Sequence, residues 1–276
     1  MKTKAVKENP FLIFLPFLLL YLAIIFVFQT HGTSGDENRY LYFANNLING
    51  FFSPPAPNID LGNGPGYPII LVPFVALHLP LTCITLLNAL LYYLSVVFLF
   101  KALRLVVNFR FALIFSLFWA LFYNSYEYMP FILTEVFTSS LVPFLIYFLM
   151  IAFRLSSSKK EKLYIFLSGF IIGYIALTKP IFGYVIMTLL GGAFILWLTH
   201  KSSLNYRKSL AVLIIAFITT LPYLFYTYHM TGRIFYWTSV GGDNLYWMSS
   251  PYEEENGSWL SYPLSQKETY IQGAEN

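Results

Sequence analysis

Long apolar runs separated by short polar connectors organise this sequence. Runs close to the roughly 20 residues that a helix needs to cross a bilayer occur at 10–29, 82–103, 111–125, 130–153, 163–178, 181–199 and 209–228. An eighth, 67–81, is shorter and carries Pro68, Pro73, His78 and Pro80. Whether it crosses sets the side of everything that follows. If it does not, the N-terminus and the connectors 101–110, 154–162 and 200–208 share one side, and together they hold 13 of the 17 Lys and Arg residues. If it does, the basic connectors are divided between both sides, against the tendency of Lys and Arg to remain cytoplasmic. The pattern therefore predicts an all-α polytopic bundle of about seven transmembrane helices. Its N-terminus is cytoplasmic and its C-terminal segment lies outside.

Composition narrows the class. The 276 residues are 57% hydrophobic and 11% charged, whereas soluble domains carry roughly 25% charged residues. That excludes a soluble enzyme, and nothing in the chain suggests a nucleic-acid partner; the bilayer itself is the first partner. The single Cys83 excludes an internal disulfide and a cysteine-built zinc site. The apolar run 11–28 that follows Lys2, Lys4 and Lys7 is too long for a signal-peptide core and has no small-residue cleavage site after it, so it reads as the first span. Acids add a second asymmetry. Only Glu8 and Glu161 fall on the cytoplasmic side, while the other eleven lie outside or near the outer helix ends. Any chemistry is expected on the outer face.

The first outer loop, 30–66, opens with a helix-start signal: Ser34 as N-cap and Glu37 three residues later as its capping-box partner. Tyr40, Phe43, Ala44, Leu47 and Ile48 then recur on one side, predicting an amphipathic helix along the membrane surface that ends at Gly50. Pro54, Pro55 and Pro57 follow, and then the turn Gly62–Pro68, which lacks the lysine and the preceding strand of a phosphate loop. Asp36 and Glu37 suit a helix first turn. At a water–membrane boundary such carboxylates also suit a general base or a metal ligand. Glu135 lies one turn inside the fourth span with Thr134, Thr138 and Ser139 on the same face. An ionisable group within a span costs about 2.5–3.5 kcal/mol and faces a wet cavity or a partner. Pro143 is expected to kink that helix. Lys179, before Pro180, and Arg233 are rare outer cations, suited to lipid phosphates or to an anionic headgroup. His31, His78, His200 and His229 show no metal-ligand spacing, and Asn256-Gly257-Ser258 is a sequon with meaning only in a secretory setting.

Several of these stretches resemble a known family. The run from Gly35 through Arg39-Tyr40 to Gly50, and then Gly64-Pro65-Gly66-Tyr67-Pro68, resembles the first outer loop of GT-C fold membrane glycosyltransferases. These are of the protein O-mannosyltransferase and aminoarabinose-transferase type, that is, glycosyltransferase family 39 and its bacterial relatives. Pro130–Glu135, Ala176-Leu177-Thr178-Lys179-Pro180 and the stretches Leu221–Arg233 and Gly241–Tyr246 match further family segments in order. At 179, lysine stands where arginine is frequent. The resemblance implies a transmembrane module over 1–229, with the motif-bearing outer loop and non-crossing segment at 30–81, and an extracytoplasmic segment over 230–276. Because family members continue for several more spans, it also implies a fragment, a truncated member or a minimal one. The implied donor is a polyprenyl-phosphate sugar, and the acceptor a glycan, a lipid or a protein. Asp36 is implied as base in an inverting transfer, with Glu37 beside it. Glu135, Lys179, Arg233 and Tyr67 are implied in substrate binding, with Glu37 or Glu135 orienting the acceptor or holding a divalent cation; no other cofactor is implied. The rival class is a transporter or flippase for a lipid-linked or anionic solute. It expects polar groups at mid-membrane and paired broken helices, where this sequence has boundary charges and no matching halves. An inactive, truncated family member is the third reading.

Overall fold

The computed structural model describes residues 9–29, 32–156, 158–199 and 204–242. The N-terminal lysines, His31, His200, Asp243 and the sequon lie outside the described residues. The chain divides into two compact units, Met1–Trp237 and Thr238–Asn276. Of the second, the described residues are 238–242, where the Val240 N–H donates to Thr238 Oγ1 at 3.3 Å.

Among the described residues all regular structure is helical: α1 (Pro10–Ile13), α2 (Leu15–Phe28), α3 (Asp36–Ile48), α4 (Gly66–Ala76), α5 (Thr82–Leu103), α6 (Phe109–Ala120), α7 (Tyr123–Tyr128), α8 (Thr134–Arg154), α9 (Lys159–Thr178), α10 (Ile181–Thr199) and α11 (Leu204–Thr231). Local chemistry explains several starts. Asn9 Oδ1 accepts from the Phe11 N–H ahead of Pro10, Asn108 Oδ1 caps α6 through Phe111, and Ser158 Oγ caps α9 through Glu161. By length and composition α5, α8, α9 and α11 are able to cross a membrane, and α2, α4, α6 and α10 are shorter apolar helices. At about 1.5 Å per residue, the 11 residues of α4 reach roughly half of a hydrocarbon core of about 30 Å. The chain then turns through His78, whose φ is +50°.

Three apolar clusters hold the first unit together. Phe14, Tyr21 and Ile25 pack with Tyr92, Val96 and Phe100 of α5 and with Ala112 of α6. Phe43, Phe52 and Leu61 of the long loop pack against Ala176, Ile186, Tyr223 and Trp237. Tyr40, Ala44, Tyr67 and Leu71 pack with Ile84, Ile132 and Phe137. The last two clusters fasten the loop-borne helices α3 and α4 onto the ends of the long helices. Tyr226 of α11 reinforces this: its hydroxyl accepts from the Ser53 N–H at 2.9 Å and donates to the Ser53 carbonyl at 3.2 Å.

At the opposite end of the bundle, Lys208 of α11 is 3% exposed. Its Nζ lies 3.2 Å from Glu161 Oε1 and donates to the carbonyls of Ala152 at 3.0 Å and Leu155 at 2.6 Å. One ammonium thereby closes the C-terminal carbonyls of α8 against the first turn of α9.

Two expectations shift. The apolar run 111–125 does not continue as one helix: α6 stops at Ala120, and α7 starts at Tyr123 after Phe122 adopts an extended conformation. The run 130–153 begins its helix only at Thr134, because Leu133 is extended. α8 runs through Pro143 to Arg154.

Candidate functional site

The first turn of α3 places two acids differently. Asp36, the first residue, is exposed, and Glu37 is buried at 5%. The backbone enters the helix through Gly35 at φ +51°, a conformation suited to glycine. The capping box is realised in one direction: Glu37 Oε2 accepts from the Ser34 N–H at 3.2 Å, while no side chain caps the helix. The other oxygen, Oε1, reaches across to the Ile132 N–H at 2.9 Å. From α5, the Asn88 amide donates to the carbonyls of Met129 at 3.3 Å and Phe131 at 3.0 Å. The extended segment before α8 is thus held from two sides.

One turn after Asp36 comes Tyr40, 3% exposed. Its hydroxyl accepts from Asn63 Nδ2 at 3.2 Å and lies 3.5 Å from Thr134 Oγ1. Thr134 donates to Glu135 Oε2 at 3.4 Å, and Lys179 Nζ donates to Glu135 Oε1 at 2.8 Å. A polar chain therefore runs from the loop turn through α3 and α8 to the end of α9. Burial pushes the Tyr40 phenol up to about 12; the Thr134 hydrogen bond opposes this, and the carboxylates of Asp36 and Glu135 add to it. Tyr40 is a neutral hydroxyl at physiological pH.

The Gly64-Pro65-Gly66 turn and the Leu177–Pro180 stretch meet main chain to main chain. A Cβ on Gly64 would stand 1.9 Å from the Leu177 carbonyl oxygen, and one on Gly66 would stand 2.7 Å from the Thr178 nitrogen. The Tyr174 hydroxyl donates to the Gly66 carbonyl at 2.7 Å. This seam packs Gly66, which precedes Tyr67, against Thr178, which precedes Lys179. Tyr67 is buried, with its ring edge-on to Tyr40 at 5.3 Å, and its hydroxyl has no hydrogen-bond partner in the protein. Arg39 and Asp60 brace the same loop with an ion pair at 2.5 Å, and the Gly62 N–H donates to Asp60 Oδ1 at 3.1 Å.

Two cavities flank the 129–135 segment. The larger, about 380 Å³, is lined by Asn124, Ser125, Glu135, Thr138, Ser139 and Lys179 together with apolar side chains. Thr138 Oγ1 is buried there without a hydrogen-bond partner. Of its lining, Phe122, Ile181 and Phe182 stand exposed. The smaller, about 230 Å³, is lined by Gln29, Thr33, Glu37, Thr85 and Ile132, among others.

Asp36, Glu37, Tyr67, Glu135 and Lys179 thus gather at one end of the bundle. Arg233 does not join them: it is exposed, with its guanidinium over the Tyr236 ring at 5.5 Å. Sequence reasoning missed Tyr40 as a polar link because it read that position as part of the apolar face. Its spacing of four from Asp36 was the available signal. Asn63 and Thr134 carried no comparable signal. Among the described residues no group of three or more His, Cys, Asp or Glu side chains is arranged to hold a metal ion, and Glu37 and Glu135 line different cavities.

Comparison with known proteins extends this picture. The family model described as dolichyl-phosphate-mannose-protein mannosyltransferase matches residues 64–226, more than half of the chain. No curated protein matches the chain. Among solved structures, a chain from the S. cerevisiae protein O-mannosyltransferase Pmt1–Pmt2 complex bound to the sugar donor is similar in fold. Its TM-score is 0.58 at 16% identity, over 83% of this chain and 34% of that one. The present chain therefore spans about a third of the matched chain's length. It shares the GT-C polytopic architecture and is a multi-pass membrane protein.

Proposed function

The chain belongs to the dolichyl-phosphate-mannose-protein mannosyltransferase family, and from that premise we propose that it transfers a sugar, in the first instance mannose, from a polyprenyl-phosphate carrier to an acceptor hydroxyl on the extracytoplasmic side. The observation that carries this reading is the hydrogen-bonded run Tyr40–Thr134–Glu135–Lys179, which ends at a cavity rimmed by exposed Phe122, Ile181 and Phe182. Such a rim suits a polyprenyl chain held in the bilayer, and the polar interior suits its phosphate and sugar. Charge supports this choice of face: Arg104, Arg110, Arg154, Lys159, Lys160, Lys162 and Arg207 lie at the opposite end of the bundle and are exposed, as cytoplasmic basic residues are.

The reaction is an inverting displacement. The exposed Asp36 carboxylate takes the acceptor hydroxyl proton, and the freed oxygen pair forms the new bond to the anomeric carbon. The anomeric carbon–phosphate oxygen bond breaks, and its electrons leave on the polyprenyl phosphate. That leaving group is already a stable anion, so its departure needs a cation more than an acid, and Lys179 supplies positive charge there. Tyr40, a neutral hydroxyl, steadies Thr134, which in turn donates to Glu135. Arg233, outside the cluster, attracts anionic headgroups to the same face. The test is direct. Purified protein in nanodiscs receives a radiolabelled mannosyl polyprenyl phosphate, and release of the free lipid phosphate is followed. Release that depends on an acceptor supports the reading; movement of intact donor across vesicles without cleavage overturns it in favour of a carrier.

A further inference from the structure

The chain reverses where α11 ends. Gly232 takes up φ +70°, its N–H donates to the Tyr228 carbonyl at 2.7 Å, and the Arg233 N–H donates to Thr231 Oγ1 at 3.2 Å. Residues 234–237 then run back beside the helix. Trp237 is fully buried and its carbonyl accepts from the Tyr223 hydroxyl at 3.0 Å, so the returning segment is anchored at both ends. Between the anchors Phe235 holds φ +54°, a left-handed conformation that is unfavourable for a bulky side chain. Its ring lies 6.3 Å from that of Phe217. The result is a groove of about 350 Å³, with Phe217, Leu221, Phe225 and Tyr228 of α11 on one side and Ile234 and Phe235 on the other.

We propose that this groove binds one acyl chain of an anionic phospholipid, whose phosphate is held by Arg233 at the groove's mouth. Three features select that occupant. The groove is lined by apolar and aromatic side chains, of which Phe225, Tyr228, Ile234 and Phe235 are exposed, on a helix able to cross a membrane. From Phe217 to Tyr228 the helix rises roughly 16 Å, about one leaflet of a hydrocarbon core of about 30 Å. Next, Arg233 adjoins Ile234 and is exposed just beyond α11, at the end remote from Lys208. Its guanidinium stands over the Tyr236 ring at 5.5 Å. Contact through the flat face leaves N–H donors for a phosphate. Last, the strained Phe235 backbone is kept because it turns a ring into a second wall. A plain helix face touches passing lipid, whereas two walls retain a chain. Glu135 and Lys179 line a different cavity, so this site is separate from the proposed donor site and stands whether or not the chain transfers sugar.

Photolabelling in nanodiscs provides the test. The discs hold phosphatidylglycerol and phosphatidylcholine at equal mole fraction, one of the two carries a diazirine on its acyl chain, and the labelled residues are mapped by mass spectrometry. The phosphatidylglycerol probe should label the stretch 217–235 about fivefold or more above the phosphatidylcholine probe. Arg233→Gln should bring the two probes to parity. Leu221→Trp, which fills the groove, and Phe235→Ala, which removes its second wall, should each lower labelling there by either probe. Labelling of the exposed Phe111, Phe115 and Phe118 of α6 stays constant in every variant that keeps its fold. Equal labelling by the two probes in the wild type, a preference that survives Arg233→Gln, or unchanged groove labelling in both groove variants overturns the assignment. So does displacement of the phosphatidylglycerol probe by equimolar polyprenyl phosphate, which would make the groove a seat for the sugar carrier.

Discussion

Lys179 Nζ stands 2.8 Å from Glu135 Oε1, joining the residue that ends α9 to the second residue of α8. Both side chains are over a third exposed, so water screens the pair and its own contribution to stability is about 0–1 kcal/mol. We therefore expect Lys179→Gln and Glu135→Gln to leave the thermal midpoint of the purified protein nearly unchanged. Donor retention should fall about tenfold or more in Lys179→Gln, because a charge-assisted contact to phosphate is lost. A large melting shift with intact donor binding would make the pair a structural strut instead.

Asp36→Asn keeps the size and polarity of an exposed first-turn residue while removing its basicity. Transfer should drop by roughly 10²–10⁴-fold, with expression and membrane insertion at wild-type levels. Turnover at the normal rate in this variant removes Asp36 from the role of base.

Tyr40→Phe tests the polar chain. It strips Asn63 and Thr134 of a hydroxyl partner, and we expect a loss of about 1–3 kcal/mol with kcat lowered more than donor KM is raised. The pH dependence has a definite sign. The folded phenol sits at about 12 against an ordinary 10.0, so the fold favours its protonated form. That stabilisation is complete below pH 10 and disappears as pH climbs from 10 to 12. Tyr40→Phe should flatten this alkaline limb of melting temperature against pH; an unaltered limb would show that Tyr40 contributes nothing to it.

Two glycine substitutions separate packing from propensity. Gly64→Ala drives a methyl into the Leu177 carbonyl and should destabilise by about 1–3 kcal/mol. Gly191→Ala, in α10 with open space around its Cβ position, should be neutral or stabilising by about 0.5–1 kcal/mol. Equal melting temperatures for the two would contradict the seam.

At the other end of the bundle, Lys208→Met removes the cation from the buried Glu161 and from two carbonyls of α8. Losing one member of a buried pair costs about 3–5 kcal/mol. Adding Glu161→Gln should recover part of that in the thermal midpoint. If the double variant is no better than Lys208→Met alone, the lysine acts through the α8 carbonyls and not through its charge.

The helices were legible because membrane-spanning segments are marked by length and apolarity, and α5, α9 and α10 fall close to the runs that announced them. The region 120–134 was harder. Its apolar content stays high while the backbone leaves the helix at Phe122 and again at Leu133, and hydropathy does not register a change of dihedral angle. The short amphipathic α3 was readable from its one-sided period, yet its entry through Gly35 was not, since Ser34 offered a chemically reasonable cap. In the site, the acids and the lone outer lysine stood out by being rare in an apolar chain. Their meeting depended on two whole helices lying side by side, which no local pattern encodes. The same limit applies to Arg233, chosen for its charge and found over the Tyr236 ring.

The contact of Gly64 and Gly66 with Leu177 and Thr178 is made by atoms that every residue possesses. The chassis on which Asn63, Tyr67 and Lys179 are mounted therefore does not depend on what those three side chains are. An engineer could exchange them to suit a different sugar carrier while the joint beneath stays closed, so this turn offers itself as a socket for redesign.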